Sequence, residues 1–236
     1  MSAHANEAPL LGWDNLPFIA TTYADNEKLW HAAKDRVNAQ LSDLNLVALY
    51  TCPWPGQGFY FNKEVTSSGD TQGIKFRSYN TATATFAEKL GMIPVQVEAA
   101  ELSQALATGV AEAFISSGST GYDRKVWEHL SHYYKVNAWL PRNYVMVNKG
   151  IWDGLSADNQ AAIQKAANET GADCSAKSQE LAGWYFEQLA DNGMDVTDAG
   201  PEFLAELEAI GAKMTADWLE QAGADGQAIL DAYNAN

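Results

Sequence analysis

The 236-residue sequence contains little positive charge, with 15 Lys and Arg against 30 Asp and Glu and a formal net charge of -15. Such a negative field repels nucleic acids and anionic membrane surfaces, so neither is an expected partner. It also opposes the approach of an anionic ligand, which would need a local cation in its binding site. Four arginines could provide one with planar, bidentate geometry: Arg36, Arg77, Arg124 and Arg142.

Cysteine is scarce as well, since Cys52 and Cys174 are the only two. They form no C-x-x-C motif, which argues against a zinc or redox site, and spacing alone does not establish a disulfide. No window of about 18 apolar residues occurs, so no membrane-spanning helix is predicted. The N-terminus lacks the basic and apolar regions of a signal peptide, and as given the chain carries no export address.

Motifs of cofactor-dependent and covalent enzymes are missing. The sequence has no G-x-S-x-G elbow, no phosphate-binding G-K-[ST] and no dinucleotide fingerprint, so we predict no cofactor. His129 and His132 have the spacing of metal ligands on a predicted helix over 121–135. No further ligand completes a coordination sphere at a suitable spacing, and we therefore predict no metal site.

Periodicity predicts an alternation of strands and helices in a globular chain with eight Trp and ten Tyr. Segments 71–116 read as strand, helix, strand, helix, strand, which is typical of a parallel sheet with crossover helices. The other predicted elements are a helix from Asp25 to Leu44, strands over 45–50 and 143–149, a long helix from Ser156 to about 192, a short strand after Gly193, and a helix beginning near Pro201.

The segment IKFRSYN, residues 74–80, places one Arg at the end of a predicted strand. Open α/β sheets bind ligands at this edge, so Arg77 could present its guanidinium to a carboxylate. The alternative is a solvated cation at a strand end. Trp54, Tyr79 and Trp139 fall at loop or strand ends and could be pocket walls or ordinary core aromatics.

Several short motifs recur in an order that resembles one known family. Gly73–Arg77 reads G-x-K-x-R, Leu90-Gly91 follows, Glu101–Gly109 includes T-G at its end, and Val147-Asn148-Lys149 precedes Trp152. In this order the sequence is similar to the DctP family of extracytoplasmic solute-binding proteins of tripartite ATP-independent periplasmic (TRAP) transporters.

The resemblance implies an α/β, two-domain periplasmic-binding-protein-like fold with hinge strands and long C-terminal helices. We expect residues 1–54 and 143–182 to form domain I and residues 55–142 and 183–236 to form domain II. Family members begin with a further strand, helix, strand and helix, so domain I is expected to be incomplete, with exposed strand edges that favour exchange between chains. The resemblance also implies a periplasmic location.

The same resemblance implies which residues form the site. Arg77 takes the position that binds the ligand carboxylate in the family, Ser116 that of a family Asn, and Gln57 that of a second Arg found in some members. Trp54 and Trp139 are expected near the hinge, with Asn143 at the entry of a strand and Tyr79 as a weaker candidate. The implied function is capture of a small organic acid, with space for a bulky or aromatic one, and its delivery to the membrane subunits of a TRAP transporter.

Two other classes of function stay open from the residues alone. An acid-binding enzyme or isomerase would use Glu98, Glu101 or Asp123 as a general base beside Arg77. A ligand-sensing module would use the same pocket with a different protein partner.

Overall fold

The computed structural model describes residues 1–235 and contains seven α-helices and eight strands within that range. In chain order these are α1 (Tyr23–Asp43), β1 (Leu46–Pro53), β2 (Gly58–Phe61), β3 (Lys75–Ser78), α2 (Thr81–Lys89), β4 (Ile93–Gln96), α3 (Leu102–Ala107), β5 (Ala113–Ser116), α4 (Gly118–Asp123), β6 (His132–Tyr134), β7 (Arg142–Asn148), α5 (Lys149–Asp153), α6 (Ala157–Asp191), β8 (Asp195–Thr197) and α7 (Pro201–Ala235).

Six of the strands form one mixed sheet in the order β4-β3-β5-β2-β6-β8. β3 is parallel to both β4 and β5, as the alternation of strands and helices over 71–116 predicts. β2 is antiparallel to both β5 and β6. The carboxyl ends of the three parallel strands therefore meet at one edge of the sheet.

The side chains of β2 show that both faces of this sheet are buried. Phe59 and Phe61 point to one face, where they join a core that contains Phe76, Phe86 and Phe203. Tyr60 points to the opposite face, and its ring stacks on that of Phe114 with centroids 4.3 Å apart. A sheet buried on both sides carries apolar residues at successive positions, which explains the run GFYF.

The other two strands, β1 and β7, form a separate antiparallel pair. The apolar face of α1 packs beside this pair with Leu29, Ala33, Val37 and Leu41, all at most 2% exposed. Their shared core includes Trp13 and three residues of α7: Trp218, Ile229 and Leu230. A kink at Gly223, whose φ is 60°, lets the end of α7 turn onto this core.

Besides α6, two loops connect the two sheets: residues 54–57 and 135–141, which we call the crossing segments. They hydrogen-bond to each other: the Gln57 amide donates to the Trp139 carbonyl at 3.0 Å, and the Ala138 amide donates to the Gln57 carbonyl at 2.9 Å. The architecture thus has two α/β units joined by paired connections, and the predicted fold class is confirmed. The exact domain boundaries stay a prediction.

The helix α6 extends across both units. Its first half packs on β1, where the side-chain nitrogen Nε2 of Gln164 donates to the Leu49 carbonyl at 3.0 Å. Its second half packs on α4 and β8, and Leu189 is fully buried there. The predicted long helix is confirmed, with Ser156 as its N-cap, and it continues without a break through the predicted boundary at residue 182.

The helix predicted over 121–135 is wrong. The chain there forms the last turn of α4, a 3-10 turn over Val126–Glu128 and the strand β6. His132 lies in that strand, so it is not on one helical face with His129. The three residues of β6 are too few to show a strand period, and their pairing with β2 and β8 comes from distant parts of the sequence.

A disulfide between Cys52 and Cys174 links β1 to α6 across 122 residues of sequence. We expect Cys174→Ser to lower the free energy of unfolding by about 2–5 kcal/mol, because the bond restricts a long loop of the unfolded chain. Urea unfolding with and without dithiothreitol measures this effect. The reductant should destabilise the wild type alone, and equal stability of the wild type and the variant without reductant would contradict the expectation.

No helix within residues 1–235 is both long enough and apolar enough to cross a membrane.

Candidate functional site

Arg77 lies near the carboxyl end of β3 and is only 3% exposed. Its Nε donates to the Val97 carbonyl at 2.8 Å. None of the ion pairs within residues 1–235 includes Arg77. A buried guanidinium normally has an anionic partner because desolvating a charge is costly. Here that partner is missing from the described chain, and the site is suited to an external anion.

The surroundings of Arg77 are aromatic on one side. Its guanidinium carbon lies 5.2 Å from the centre of the Tyr79 ring, within the range of a cation–π contact. Burial lowers the pKa of Arg77, while the nearby Tyr79 and Glu98 raise it. An arginine keeps its charge at neutral pH in proteins, so the site carries a fixed positive charge.

Tyr79 also joins this site to the crossing segments. Trp139 Nε1 donates to Tyr79 Oη at 3.2 Å, and the Tyr79 hydroxyl donates to Gln57 Oε1 over a longer 3.4 Å. Trp139 is 1% exposed and Gln57 is 3% exposed. The structure therefore brings Arg77, Tyr79, Trp139 and Gln57 into one contiguous group.

Both ends of the Gln57 amide have partners within the protein. Its Nε2 donates to the Pro55 carbonyl at 3.1 Å, and its Oε1 accepts from Tyr79. A neutral amide in place of a second guanidinium leaves Arg77 as the only cation of these four residues, while the charge of Arg124 is near enough to lower the pKa of Arg77. Such a site matches one carboxylate better than two.

Ser116 ends β5 opposite Gly58 of β2, next to the first crossing segment. Its hydroxyl donates to Thr120 Oγ1 at 2.9 Å, and Ser117 caps the N-terminus of α4 by accepting from the Thr120 amide. The loop SSGST thus presents several hydroxyls near the same sheet edge as Arg77.

Trp54 and Asn143 lie apart from the Arg77 group. Both line a cavity of about 380 Å³ together with the disulfide and residues of α6. Arg77, Gln57, Tyr79 and Trp139 are not among the residues that line it. Ser119 lines this cavity and hydrogen-bonds to Ser117 at 2.7 Å, so the serine-rich loop separates the two groups.

The carboxylates considered for general-base chemistry are all exposed. Glu98 and Glu101 flank the 3-10 turn after β4, and Asp123 ends α4 at the mouth of the cavity that Trp54 lines. Catalytic carboxylates usually need a desolvated setting, which these positions do not provide. Within residues 1–235, no three His, Cys, Asp or Glu side chains are grouped closely enough to hold a metal ion.

Arg142, at the start of β7, carries a buried network that sequence reasoning missed. Its Nη1 donates to Asn26 at 2.8 Å, its Nη2 to Glu27 at 2.8 Å, and its Nε to Thr51 at 3.0 Å. Its backbone amide donates to Asp14 at 2.8 Å, and burial raises the pKa of that carboxyl. Unlike Arg77, Arg142 has a hydrogen-bond partner within the protein at each of its three guanidinium nitrogens.

Two α/β units joined by paired connections, with a buried guanidinium beside them that has no ionic partner among the described residues, fit a binding protein for a small anion. The family comparison agrees: residues 3–222 match the model of family 7 of the bacterial extracellular solute-binding proteins, DctP. The chain belongs to this family, and the predicted family membership is confirmed. It is 25% identical over 226 residues to the C4-dicarboxylate-binding periplasmic protein DctP of Rhodobacter capsulatus, which covers 94% of this chain and 67% of that protein.

Among the solved structures that are similar to this chain, two that cover its whole length are described by their ligands. One is a TRAP solute-binding protein from an unidentified marine microbe, described as specific for pyroglutamate and solved with co-purified pyroglutamate. It is 81% identical, with a TM-score of 0.99, and the match covers 100% of this chain and 78% of that one. The other is DctP6 of Bordetella pertussis, an extracytoplasmic solute receptor that binds pyroglutamic acid, with 42% identity, a TM-score of 0.97 and the same two coverages.

Proposed function

We propose that the protein binds pyroglutamate in the periplasm and delivers it to the membrane subunits of a TRAP transporter. The observation that carries this proposal is the buried, unpaired guanidinium of Arg77. Pyroglutamate is a five-membered lactam with one carboxylate, so it can supply one negative charge to this one cation. The 81% identical relative and the 42% identical DctP6 support the same ligand, because both are described as binding it.

The chemistry around Arg77 suits the two parts of this ligand. The planar guanidinium would bind the carboxylate through two parallel hydrogen bonds, which also fixes the orientation of the ring. The hydroxyls of Ser116 and its loop could bond to the lactam, and the rings of Tyr79 and Trp139 border the site. In this assignment Gln57 is a supporting residue, since both ends of its amide already have partners.

The periplasmic location has two supports. The relatives include a periplasmic protein, and the disulfide is of the kind that persists in oxidising compartments. Delivery to a transporter requires that the ligand be released unchanged, which distinguishes this function from the isomerase alternative.

Isothermal titration calorimetry with L-pyroglutamate tests the ligand assignment. We expect one site per chain, and much weaker binding of succinate, whose second carboxylate has no cation in the Arg77 group. Proton NMR and chiral chromatography of the ligand released after incubation should recover L-pyroglutamate unchanged, neither converted nor isomerised. Tighter binding of succinate would overturn the ligand assignment, and chemical conversion of pyroglutamate would favour an enzyme.

A further inference from the structure

Tyr79 contacts every other member of the Arg77 group. We propose that Tyr79 is the positioning residue of this site: its ring holds the Arg77 guanidinium in place for the ligand carboxylate, and its hydroxyl connects that guanidinium to both crossing segments. This inference deepens the proposed function and rests on it.

The ring of Tyr79 completes the immobilisation of Arg77. The hydrogen bond from Nε to the Val97 carbonyl fixes one edge of the guanidinium, and the guanidinium carbon lies over the Tyr79 ring, 5.2 Å from the ring centre. Together these two contacts restrict both the position and the plane of the group. The terminal nitrogens, which bind carboxylates bidentately, are then held in place before the ligand arrives, and less entropy is lost on binding.

The hydroxyl of Tyr79 reaches both crossing segments. It accepts from Trp139 of one segment and donates to Gln57 of the other. Relative movement of the two units involves these segments as well as α6, so we expect the orientation of Tyr79 to change with it. A ligand that selects one orientation of Arg77 thereby also favours one arrangement of the segments.

Tyr79 performs this role as a neutral group. Burial raises the pKa of Tyr79 well above its usual value, so its hydroxyl stays protonated. A phenolate would be an internal counter-ion to Arg77 and would compete with the ligand, whereas the phenol leaves the positive charge available. Its backbone is fixed as well, because the Tyr79 amide donates to Thr83 Oγ1 at 3.1 Å in the first turn of α2.

The test compares pyroglutamate with pyroglutamide, the uncharged amide of the same ring. Their dissociation constants are measured by calorimetry, with displacement titration for the weaker ligand, and the ratio of the two reports how well the site uses the carboxylate. We call this ratio the preference for the carboxylate. We expect Tyr79→Leu to reduce the preference about tenfold, because the cation–π contact that holds Arg77 is lost. Tyr79→Phe should keep the preference and weaken both ligands by about threefold, because only the link to the segments is lost.

Tyr134→Leu is the matched control, since it removes a tyrosine from β6 of the same sheet, where the hydroxyl accepts from the Val65 amide. It should lower the melting temperature and leave the preference unchanged. An unchanged preference in Tyr79→Leu, or wild-type affinity in Tyr79→Phe, would overturn the inference alone. If the wild type does not bind pyroglutamate, the ligand assignment fails and this inference with it. Should Tyr79→Leu not fold, Tyr79→Met also removes the ring but fills the space with a longer, flexible side chain, and it is measured in the same way.

Discussion

Arg77→Ala should weaken pyroglutamate binding by about 2–5 kcal/mol, or roughly 30- to 4,000-fold in Kd, the usual cost of removing one partner of a buried charge pair. The loss is large because the carboxylate would then be desolvated without a counter-ion. Arg77→Lys should recover only part of the affinity, since an ammonium group is a point charge without the planar fork.

The substitution Arg77→Ala should not destabilise the ligand-free protein. The Arg77 guanidinium is desolvated without an ionic partner, so its removal relieves an unfavourable burial. We therefore expect the melting temperature of ligand-free Arg77→Ala to equal or exceed that of the wild type, while ligand no longer raises it.

Arg36→Ala is the matched control, because Arg36 is a partly exposed arginine paired with Asp225 on the surface. It should change neither the affinity nor, by more than about 1 kcal/mol, the stability. Calorimetry and thermal unfolding measure both quantities. Wild-type affinity in Arg77→Ala would show that the carboxylate is bound elsewhere.

Arg142→Ala, in contrast to Arg77→Ala, should destabilise the protein. We expect it to lower the free energy of unfolding by about 3–5 kcal/mol, as expected when one partner of a buried ion pair is removed. The substitution leaves three acceptors without their donor: Asn26 Oδ1, Thr51 Oγ1 and Glu27 Oε2. Asn26 is 1% exposed, so water cannot easily replace the lost hydrogen bond.

Arg142→Met separates the volume of the side chain from its charge. Methionine fills much of the space beside Trp30, so we expect this variant to be more stable than Arg142→Ala and less stable than the wild type. Urea unfolding monitored by circular dichroism gives the free energies, with Arg36→Ala again as the reference. A loss below about 1 kcal/mol in Arg142→Ala would mean that water or neighbouring groups satisfy the network.

Local patterns in the sequence were sufficient for the long helices and for the parallel part of the sheet. Ser156 as the N-cap of α6 and Pro201 as the first residue of α7 locate the starts of these helices, and the alternation over 71–116 gives the parallel strands around Arg77. Arg77 is a candidate because it is a lone cation at a predicted strand end, and the family resemblance implies its role. Its lack of an ionic partner is a property of the folded chain and has no sequence signature.

The features that sequence reasoning missed depend on long-range contacts. Arg142 meets Asn26 across 116 residues and Thr51 across 91, and the disulfide joins residues 122 apart. The local spacing of residues in the sequence does not predict such contacts between distant positions. Tyr79 is only a weaker candidate in the sequence, and its hydrogen bond to Trp139 also joins distant positions, 60 residues apart. The resemblance implies Trp54 and Asn143 as further site residues, and in the structure both line a cavity that Arg77 does not line, so their role in binding stays a prediction.

The disulfide is attached to α6 at its midpoint, since Cys174 lies seventeen residues from each end of Ala157–Asp191. At 1.5 Å per residue, each arm of the helix is about 25 Å long. A stiff rod held at its centre behaves as a lever with a fixed pivot, so its two ends move in opposite directions when it tilts. One arm rests on β1 and the other on α4 and β8. A rotation of α6 by a few degrees about this pivot would therefore displace each end by about an ångström or more relative to the strands and helices on which it rests.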